Sequence, residues 1–149
     1  MNEVATHIPI PNLPGKLYLG SVTSINYIIP LNISYVISLF PLLQDMTIPP
    51  NVEHDLYSLY DSSDAETVKK MNLILNETSS KIFQRLKEGK NVLVHCFAGI
   101  SRSSTVVIDF LCSFILYNSV DEVIEILRMY RPQVNPNNGF TNLLRARHK

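Results

Sequence analysis

Cys96 and Arg102 lie six positions apart in this sequence, and together the two side chains can act on a phosphate group. A cysteine thiolate is a strong nucleophile, and an arginine guanidinium can bind two phosphate oxygens at once. The spacing alone is weak evidence, since chance would produce it in roughly one chain in ten of this length. Its setting is more informative: the apolar run 91–95 leads into the cysteine, Gly99 lies within the loop, and the arginine begins a helical pattern.

A strand, a tight loop and a helix in this order form a binding site for an anion. Such a loop points successive backbone N–H groups inward, and the N-terminus of the helix adds positive potential. We therefore expect Cys96 to be largely a thiolate near neutral pH. The hydroxyl of Ser103 is expected to reach back and stabilise the sulfur as a leaving group. The residues expected to bind phosphate are Phe97, Ala98, Gly99, Ile100, Ser101 and Arg102.

Strands and helices alternate along the rest of the sequence. Apolar runs and period-two patterns predict strands over 16–20, 34–39, 53–60 and 91–95, with a surface loop over 44–51. Apolar residues at helical spacing predict helices over 21–29, 63–89, 102–117 and 119–131, and a last helix from about 138. Crossovers of this length favour an α/β fold whose sheet is mostly parallel.

Capping motifs mark the ends of two of these helices. Ser63 with Glu66 matches the S-x-x-E capping box, and so does Ser119 with Glu122. Gly89 lies where a glycine commonly ends a helix. The long predicted helix therefore begins near Ser63 and ends at Gly89.

The loop resembles the signature H-C-x-x-G-x-x-R-S of the protein tyrosine phosphatases. His95, Cys96, Gly99, Arg102 and Ser103 occupy the fixed positions of that signature. The run 98–103 is similar to the dual-specificity branch, especially the phosphatases of mitogen-activated protein kinases, and so are the runs 18–20 and 131–140. The resemblance extends over about residues 17–144. It implies a compact α/β phosphatase domain with a short mixed, mainly parallel sheet flanked by helices, and we expect 1–149 to form a single domain.

The resemblance also implies a two-step reaction in which Cys96 forms a phosphocysteine and an aspartate serves as general acid, then as general base. This aspartate should lie on the loop between a strand and the long helix. Asp61 fits that place. Asp64 is the alternative, although a carboxylate in the first turn of a helix also has an ordinary role, because the helix dipole favours it there. The resemblance implies that His95 supports the loop by hydrogen bonds. Asn137 either braces the loop or serves in a turn or helix cap.

Three further residues have an ordinary structural interpretation. Arg128 and Arg131 lie near the end of a predicted helix and are interpreted first as cations that its dipole favours, and second as substrate contacts. Cys112 lies in an apolar helix and is interpreted as a core residue rather than a partner of the reactive cysteine.

The composition limits the partners and the compartment. Of 149 residues, 13 are basic and 13 acidic, so no overall field attracts nucleic acid or an anionic membrane. Two cysteines cannot form a disulfide framework, and no signal peptide is recognisable, so we expect an intracellular protein of the cytoplasm, the nucleus or both. His7, His54 and His148 lack the spacing of metal ligands, and the expected chemistry needs no metal and no other cofactor.

The resemblance implies a phosphorylated protein as substrate, with a protein kinase among the candidates, and leaves the oligomeric state open. Only about 16 residues precede the first strand, so we expect a shallow cleft that admits phosphoserine and phosphothreonine as well as phosphotyrosine. One alternative is a phosphatase of a phosphoinositide or an RNA 5′ end, whose loops tend to carry Lys or His where Phe97, Ala98, Ile100 and Ser101 stand here. The other alternative is an inactive module that binds phosphoproteins.

Overall fold

A five-stranded sheet with helices forms the framework of the protein. The computed structural model describes residues 3–41, 46–115 and 118–149. The strands are β1 (Thr6–Ile8), β2 (Leu17–Gly20), β3 (Ile33–Leu39), β4 (Glu53–Tyr57) and β5 (Asn91–Cys96). The helices are a 3₁₀ helix (Val22–Tyr27), α1 (Ala65–Lys87), α2 (Arg102–Phe110) with a π-helical continuation (Leu111–Ile115), α3 (Val120–Tyr130) and α4 (Asn138–Arg147).

The sheet is mixed and mainly parallel, which confirms the expected fold. Its strand order is β1-β2-β5-β3-β4, with β1 antiparallel to β2 and the other pairs parallel. The central strand β5 is almost wholly buried and ends at Cys96, which pairs in register with Leu39. The carboxyl ends of β2, β3 and β5 therefore meet at one edge of the sheet, and the loop that follows Cys96 begins there.

The two faces of the sheet bury different side chains, because neighbouring residues of a strand point to opposite sides. Leu17, Leu19 and Val94 lie in the larger apolar cluster, on the face covered by α1–α4. Tyr18 and Leu93 lie in a smaller cluster on the other face. The helices contribute Met71, Leu75, Ile82, Leu86, Val106, Val107, Phe110, Val123, Leu127, Phe140 and Leu144 to the larger cluster.

The last predicted part of the strand before α1 is not a strand. Strand β4 ends at Tyr57, whose partner Leu39 is the last residue of β3, so beyond this pair the backbone has no neighbouring strand to bond. Residues 58–60 leave the sheet instead. Leu59 is buried there, and its carbonyl accepts a hydrogen bond from Arg102.

The N-cap of helix α1 lies one residue later than predicted, and the proposed Ser63–Glu66 capping box is wrong. Asp64 is the N-cap, with an extended backbone and a carboxylate that accepts from the backbone N–H of Thr67 at 2.8 Å. The hydroxyl of Ser63 turns instead toward Asn137 Oδ1, at 3.2 Å. Aspartate and serine cap helices about equally well, so the choice rests on this long-range contact.

Other helix ends agree with the sequence or differ by a few residues. Ser119 and Glu122 form the expected capping box, and Gly89 takes a φ of +84° after α1. The helix predicted over 21–29 is the shorter 3₁₀ helix. The predicted helix end at 117 and the start of the predicted loop at 44 lie outside the described residues.

No single helix within the described ranges is long and apolar enough to cross a membrane. By length and composition alone, the bent pair Arg102–Ile115 and Val120–Tyr130 passes that test only when its two parts are taken together.

Candidate active site

The thiol of Cys96 lies at the base of the loop that joins β5 to α2. The residue is 1% exposed. Its Sγ accepts a hydrogen bond from the backbone N–H of Gly99 at 3.3 Å and lies 3.1 Å from the Ser103 hydroxyl oxygen. Helix α2 begins at Arg102 and directs its positive end toward this loop. The hydrogen-bond donors and the dipole of α2 therefore favour a negative charge at the sulfur or on a group bound above it.

Three carbonyl oxygens of the loop are held by donors from outside it. Phe97 O accepts from Val22 N at 3.0 Å, Gly99 O from Arg131 Nε at 2.8 Å, and Ile100 O from Asn135 N at 2.9 Å. A peptide whose carbonyl is fixed on one side presents its N–H on the other side. These bonds hold the loop in the form that leaves backbone donors for an anion.

Gly99 fits a place where a side chain has no room. Its φ is +69°, in the left-handed region that favours glycine. A Cβ at this position would lie 2.3 Å from Arg131 Nη2 and 2.8 Å from the carbonyl oxygen of Gly20. The loop therefore packs directly against both neighbours.

One nitrogen of the Arg102 guanidinium is hydrogen-bonded and another has no partner among the described residues. Its Nη1 donates to the carbonyl oxygen of Leu59 at 2.8 Å. Its Nε is buried and has no hydrogen-bond partner within the described part of the chain. Elsewhere in the protein, Arg85 uses its Nε and Nη2 to hold both carboxylate oxygens of Glu53, each at 2.7 Å. The same edge of Arg102 is suited to two phosphate oxygens.

The two candidate acids have different surroundings. Asp64 is engaged as the cap of α1, and its carboxylate accepts from Thr67 and from the Ser62 hydroxyl. These hydrogen bonds, with Ser62 first, lower the pKa of Asp64. Asp61 is exposed, and its Oδ1 accepts from Asn137 Nδ2 at 2.8 Å. The carboxylate of Asp61 is thus the freer of the two.

Asn137 connects the Asp61 loop to the phosphate loop. Its backbone N–H donates to the Ser101 hydroxyl at 2.9 Å, while its side chain donates to Asp61. Its Oδ1 also accepts from Phe140 N at 2.9 Å as the N-cap of α4. Asn137 is thus the N-cap of α4 and also contacts the phosphate loop, and this bridge brings Asp61 to the same edge as Ser101.

His95 is buried behind the loop within a chain of hydrogen bonds. Its Nδ1 lies 3.1 Å from the carbonyl oxygen of Ser21, which can only accept, so Nδ1 carries the proton. Its Nε2 then accepts from the Ser38 hydroxyl at 2.6 Å, and the same hydroxyl oxygen lies 2.8 Å from His54 Nε2. Burial lowers the pKa of His95 to about 4. A neutral His95 fits a supporting role and cannot supply a proton near neutral pH.

Arg131 was misinterpreted from the sequence. It follows the last turn of α3 as its C-cap, with a φ of −140°, and its side chain turns inward to the Gly99 carbonyl. Only 2% of the residue is exposed, which leaves no surface for a substrate. The nearby Arg128 does lie in the last turn of α3, and its Nε donates to Val134 O at 2.8 Å. Local sequence gave no signal of two further supports. The backbone N–H of Val22 donates to Phe97 O, and Ser38 bonds to His95 just before the loop.

The described residues outside the loop offer no second reactive centre of the same kind. Burial and the nearby Asp109 raise the pKa of Cys112 to about 11, which leaves it a poor nucleophile. Residues 3–41, 46–115 and 118–149 contain no group of three His, Cys, Asp or Glu that could hold a metal ion.

Comparison with known proteins identifies the arrangement. The family model "Dual specificity phosphatase, catalytic domain" matches residues 17–149. The chain belongs to this family. It is therefore a protein-tyrosine/dual-specificity phosphatase, a hydrolase of phosphate monoesters.

Individual members of the dual-specificity phosphatase family agree with this placement. Dual specificity protein phosphatase 1B of Arabidopsis thaliana is 30% identical over 136 residues, which cover 89% of this chain and 78% of that protein. Dual specificity protein phosphatase 15 of Mus musculus is 36% identical over 139 residues, or 89% of this chain and 54% of that protein. The chain thus spans about half the length of the mouse relative. The crystal structure of DUSP15 superposes with a TM-score of 0.78 at 28% identity, over 94% of this chain and 85% of that one.

Proposed function

We propose that this protein hydrolyses phosphotyrosine, phosphothreonine and phosphoserine in proteins through a phosphocysteine intermediate on Cys96. One observation carries the proposal: the buried thiol lies below a loop with outward-held carbonyls, beside an arginine whose Nε is buried without a partner. Each feature is what a bound phosphate monoester requires from its site.

In the first step, the Cys96 sulfur attacks phosphorus and forms the P–S bond as the P–O bond to the substrate breaks. Arg102 and the loop N–H groups bind the non-bridging oxygens, whose charge shifts in the transition state. Asp61 donates its proton to the departing oxygen, so that the product leaves as a neutral hydroxyl compound. The hydrogen bond from Asn137 to Asp61 orients the carboxyl group for this transfer.

In the second step, water attacks the phosphocysteine and the P–S bond breaks. Asp61, now a carboxylate, accepts a proton from the water, and the Cys96 thiolate leaves. Ser103 lies at hydrogen-bond distance from the sulfur, at 3.1 Å, and its hydroxyl stabilises the thiolate as it forms. Inorganic phosphate is released, and the free enzyme is restored.

The rim of the site suits more than one kind of phosphorylated residue. Residues 58–64, only seven, connect β4 to α1, and they form a short border on the acid side. Two aromatic side chains are exposed near the reacting groups in sequence, Phe97 at 60% and Tyr60 at 66%. We expect a segment this short to leave the sulfur within reach of the shorter phosphoserine and phosphothreonine side chains, while the aromatic surfaces favour phosphotyrosine.

The test is a panel of matched peptides that differ only in the phosphorylated residue, with kcat/KM as the readout. We expect turnover of all three, fastest for phosphotyrosine. Turnover of phosphotyrosine alone would contradict dual specificity and leave the cysteine mechanism standing. A phosphoinositide and a 5′-phosphorylated RNA in the same panel test the non-protein alternatives. Absence of turnover on any of these and on an aryl phosphate would leave the inactive binding module as the better account.

The same proposal includes a compartment. A nucleophilic thiolate works only while it is reduced, so we place the activity in the cytoplasm or nucleus. Imaging of the tagged protein checks this, and an extracellular location would contradict it.

A further inference from the structure

The buried Arg131 joins the phosphate loop to the beginning of the chain. Its Nε donates to Gly99 O at 2.8 Å, its Nη1 to the hydroxyl of Thr6 at 2.9 Å, and its Nη2 to the carboxylate of Glu3 at 2.8 Å. Three nitrogens of one guanidinium thus contact three separate partners. A planar, rigid group with all three edges engaged has little freedom to move.

Glu3 supplies the charge that this buried arginine needs. Arg131 is 2% exposed in its side chain, and a buried cation is costly unless a carboxylate pairs with it. Among the described residues, Glu3 is the acidic partner of Arg131. The side chain of Glu3 is itself 33% exposed, so its carboxylate contacts both the buried guanidinium and the solvent.

The first residues of the described chain are docked at more than one point. The backbone N–H of Glu3 donates to the Thr23 hydroxyl at 3.0 Å. Strand β1 pairs with β2 from Thr6 to Ile8. This segment precedes residue 17, where the match to the family begins. Its contacts to the loop therefore lie outside the residues that the family model matches.

We propose that Glu3 and Thr6 are positioning residues for the phosphate loop, which act through Arg131. They hold the guanidinium in the place where its Nε fixes the Gly99 carbonyl. The Gly99 carbonyl shares its peptide plane with the N–H of Ile100, so its fixation keeps that N–H turned to the inner side of the loop. The preceding N–H, that of Gly99, lies 3.3 Å from the Cys96 sulfur. Without Glu3, the buried cation loses its counter-charge and turns toward water, and the loop loses one of its three outer supports.

Two readouts test this, one of which needs no turnover. The first is hydrogen exchange at the backbone amides of residues 97–101 in the free, full-length protein. The second is vanadate inhibition together with kcat/KM on an aryl phosphate, which rests on the proposed function. The variants are Glu3→Ala and Glu3→Gln. The control is Glu53→Ala, which removes the carboxylate that pairs with Arg85 at the opposite edge of the sheet.

We expect Glu3→Ala to speed exchange at 97–101 and to weaken both vanadate inhibition and kcat/KM by about 10- to 100-fold, the scale of a small misplacement in an active site. Glu3→Gln should fall between wild type and Glu3→Ala, since its amide oxygen still accepts a hydrogen bond but carries no charge. Glu53→Ala should leave exchange, inhibition and turnover at the wild-type values even where it lowers Tm. A merely structural role of Glu3 would lower Tm in the same way without an effect on vanadate.

Wild-type loop exchange and wild-type vanadate inhibition in Glu3→Ala would overturn the inference. An inactive wild-type protein in which Glu3→Ala still speeds exchange at 97–101 would contradict the proposed function and support the bracing of the loop. The two claims can thus fail separately.

Discussion

At the scale of single residues, Asp61 and Asp64 differ in what their carboxylates bind. Asp64 accepts from the backbone and side chain of Thr67 as a helix cap, whereas Asp61 accepts a single side-chain donor from Asn137. A general acid must release and regain its proton in each turnover, which suits the less engaged group. Asp61 therefore stays our proposal for the general acid.

We predict that Asp61→Asn lowers kcat on phenyl and alkyl phosphates by about 10²-fold or more, the usual contribution of a general acid. The loss should shrink for leaving groups that need no proton. Asp64→Asn is the matched control, because asparagine also caps helices well and should preserve activity. Steady-state kinetics over a series of leaving groups measures both. If the leaving-group dependence appears in Asp64→Asn and not in Asp61→Asn, the general acid is Asp64 and not Asp61.

His95 should make the stability of the protein depend on pH. Burial lowers its pKa from the usual 6.5 to about 4, so the unfolded state binds this proton more readily than the folded state does. Its contribution is fully present above pH 6.5 and is lost as the pH falls toward 4. A shift of this size corresponds to about 3 kcal/mol of unfolding free energy.

Urea unfolding of wild type and His95→Asn between pH 7 and pH 4 measures this contribution. The other titrating groups, including His54, whose pKa burial also lowers, are present in both proteins. We therefore expect the wild-type free energy of unfolding to fall more steeply than that of the variant. Parallel curves would show that His95 does not remain neutral in the folded protein.

At the scale of elements, three helices are joined at Asp109, which is fully buried in α2. Its carboxylate accepts from Ser79 Oγ of α1 at 2.6 Å and from Arg147 Nε of α4 at 2.9 Å. His148 Nε2 lies 2.6 Å from the same carboxylate. The cluster fixes the C-terminal end of α4, while Asn137 at the other end contacts the phosphate loop.

We predict that Arg147→Ala lowers the free energy of unfolding by about 3 kcal/mol, because it leaves a buried carboxylate short of its cationic partner. Arg145→Ala is the matched control on the same helix. Its pair with Asp121 is more than half exposed on both sides, so its loss should cost less than about 1 kcal/mol. Equal effects of the two substitutions on urea unfolding would contradict the anchoring role of Asp109.

The elements that the sequence predicted well are those set by local pattern. Strand β5 follows from a short apolar run and helix α1 from apolar periodicity, and Gly89 ends α1 through its own backbone freedom. The errors occur where a residue distant in sequence determines where a strand ends or a helix begins. Strand β4 ends where β3 ends, and the cap of α1 moves to Asp64 while Ser63 contacts Asn137.

At the scale of the whole molecule, the site also has one part that local sequence determines and another part that only the fold determines. The loop from Cys96 to Ser103 is contiguous, so its chemistry could be predicted from a short motif. Its supports come from the 3₁₀ helix, β3 and the residues after α3. Only the fold brings these together, and no local pattern distinguishes a supporting arginine such as Arg131 from an ordinary helix-end cation.

The central claim is that Cys96 carries the phosphoryl group during turnover, and rapid-quench trapping of the enzyme with a labelled substrate tests it most directly. We predict a wild-type phosphoenzyme that resists hydroxylamine and is cleaved by iodine, as expected of a phosphorus–sulfur bond, with the label on the peptide that contains Cys96. Cys96→Ser should form no label and turn over no substrate, yet still bind vanadate through Arg102 and the loop. A label on another residue, or near-normal turnover by Cys96→Ser, would contradict the account.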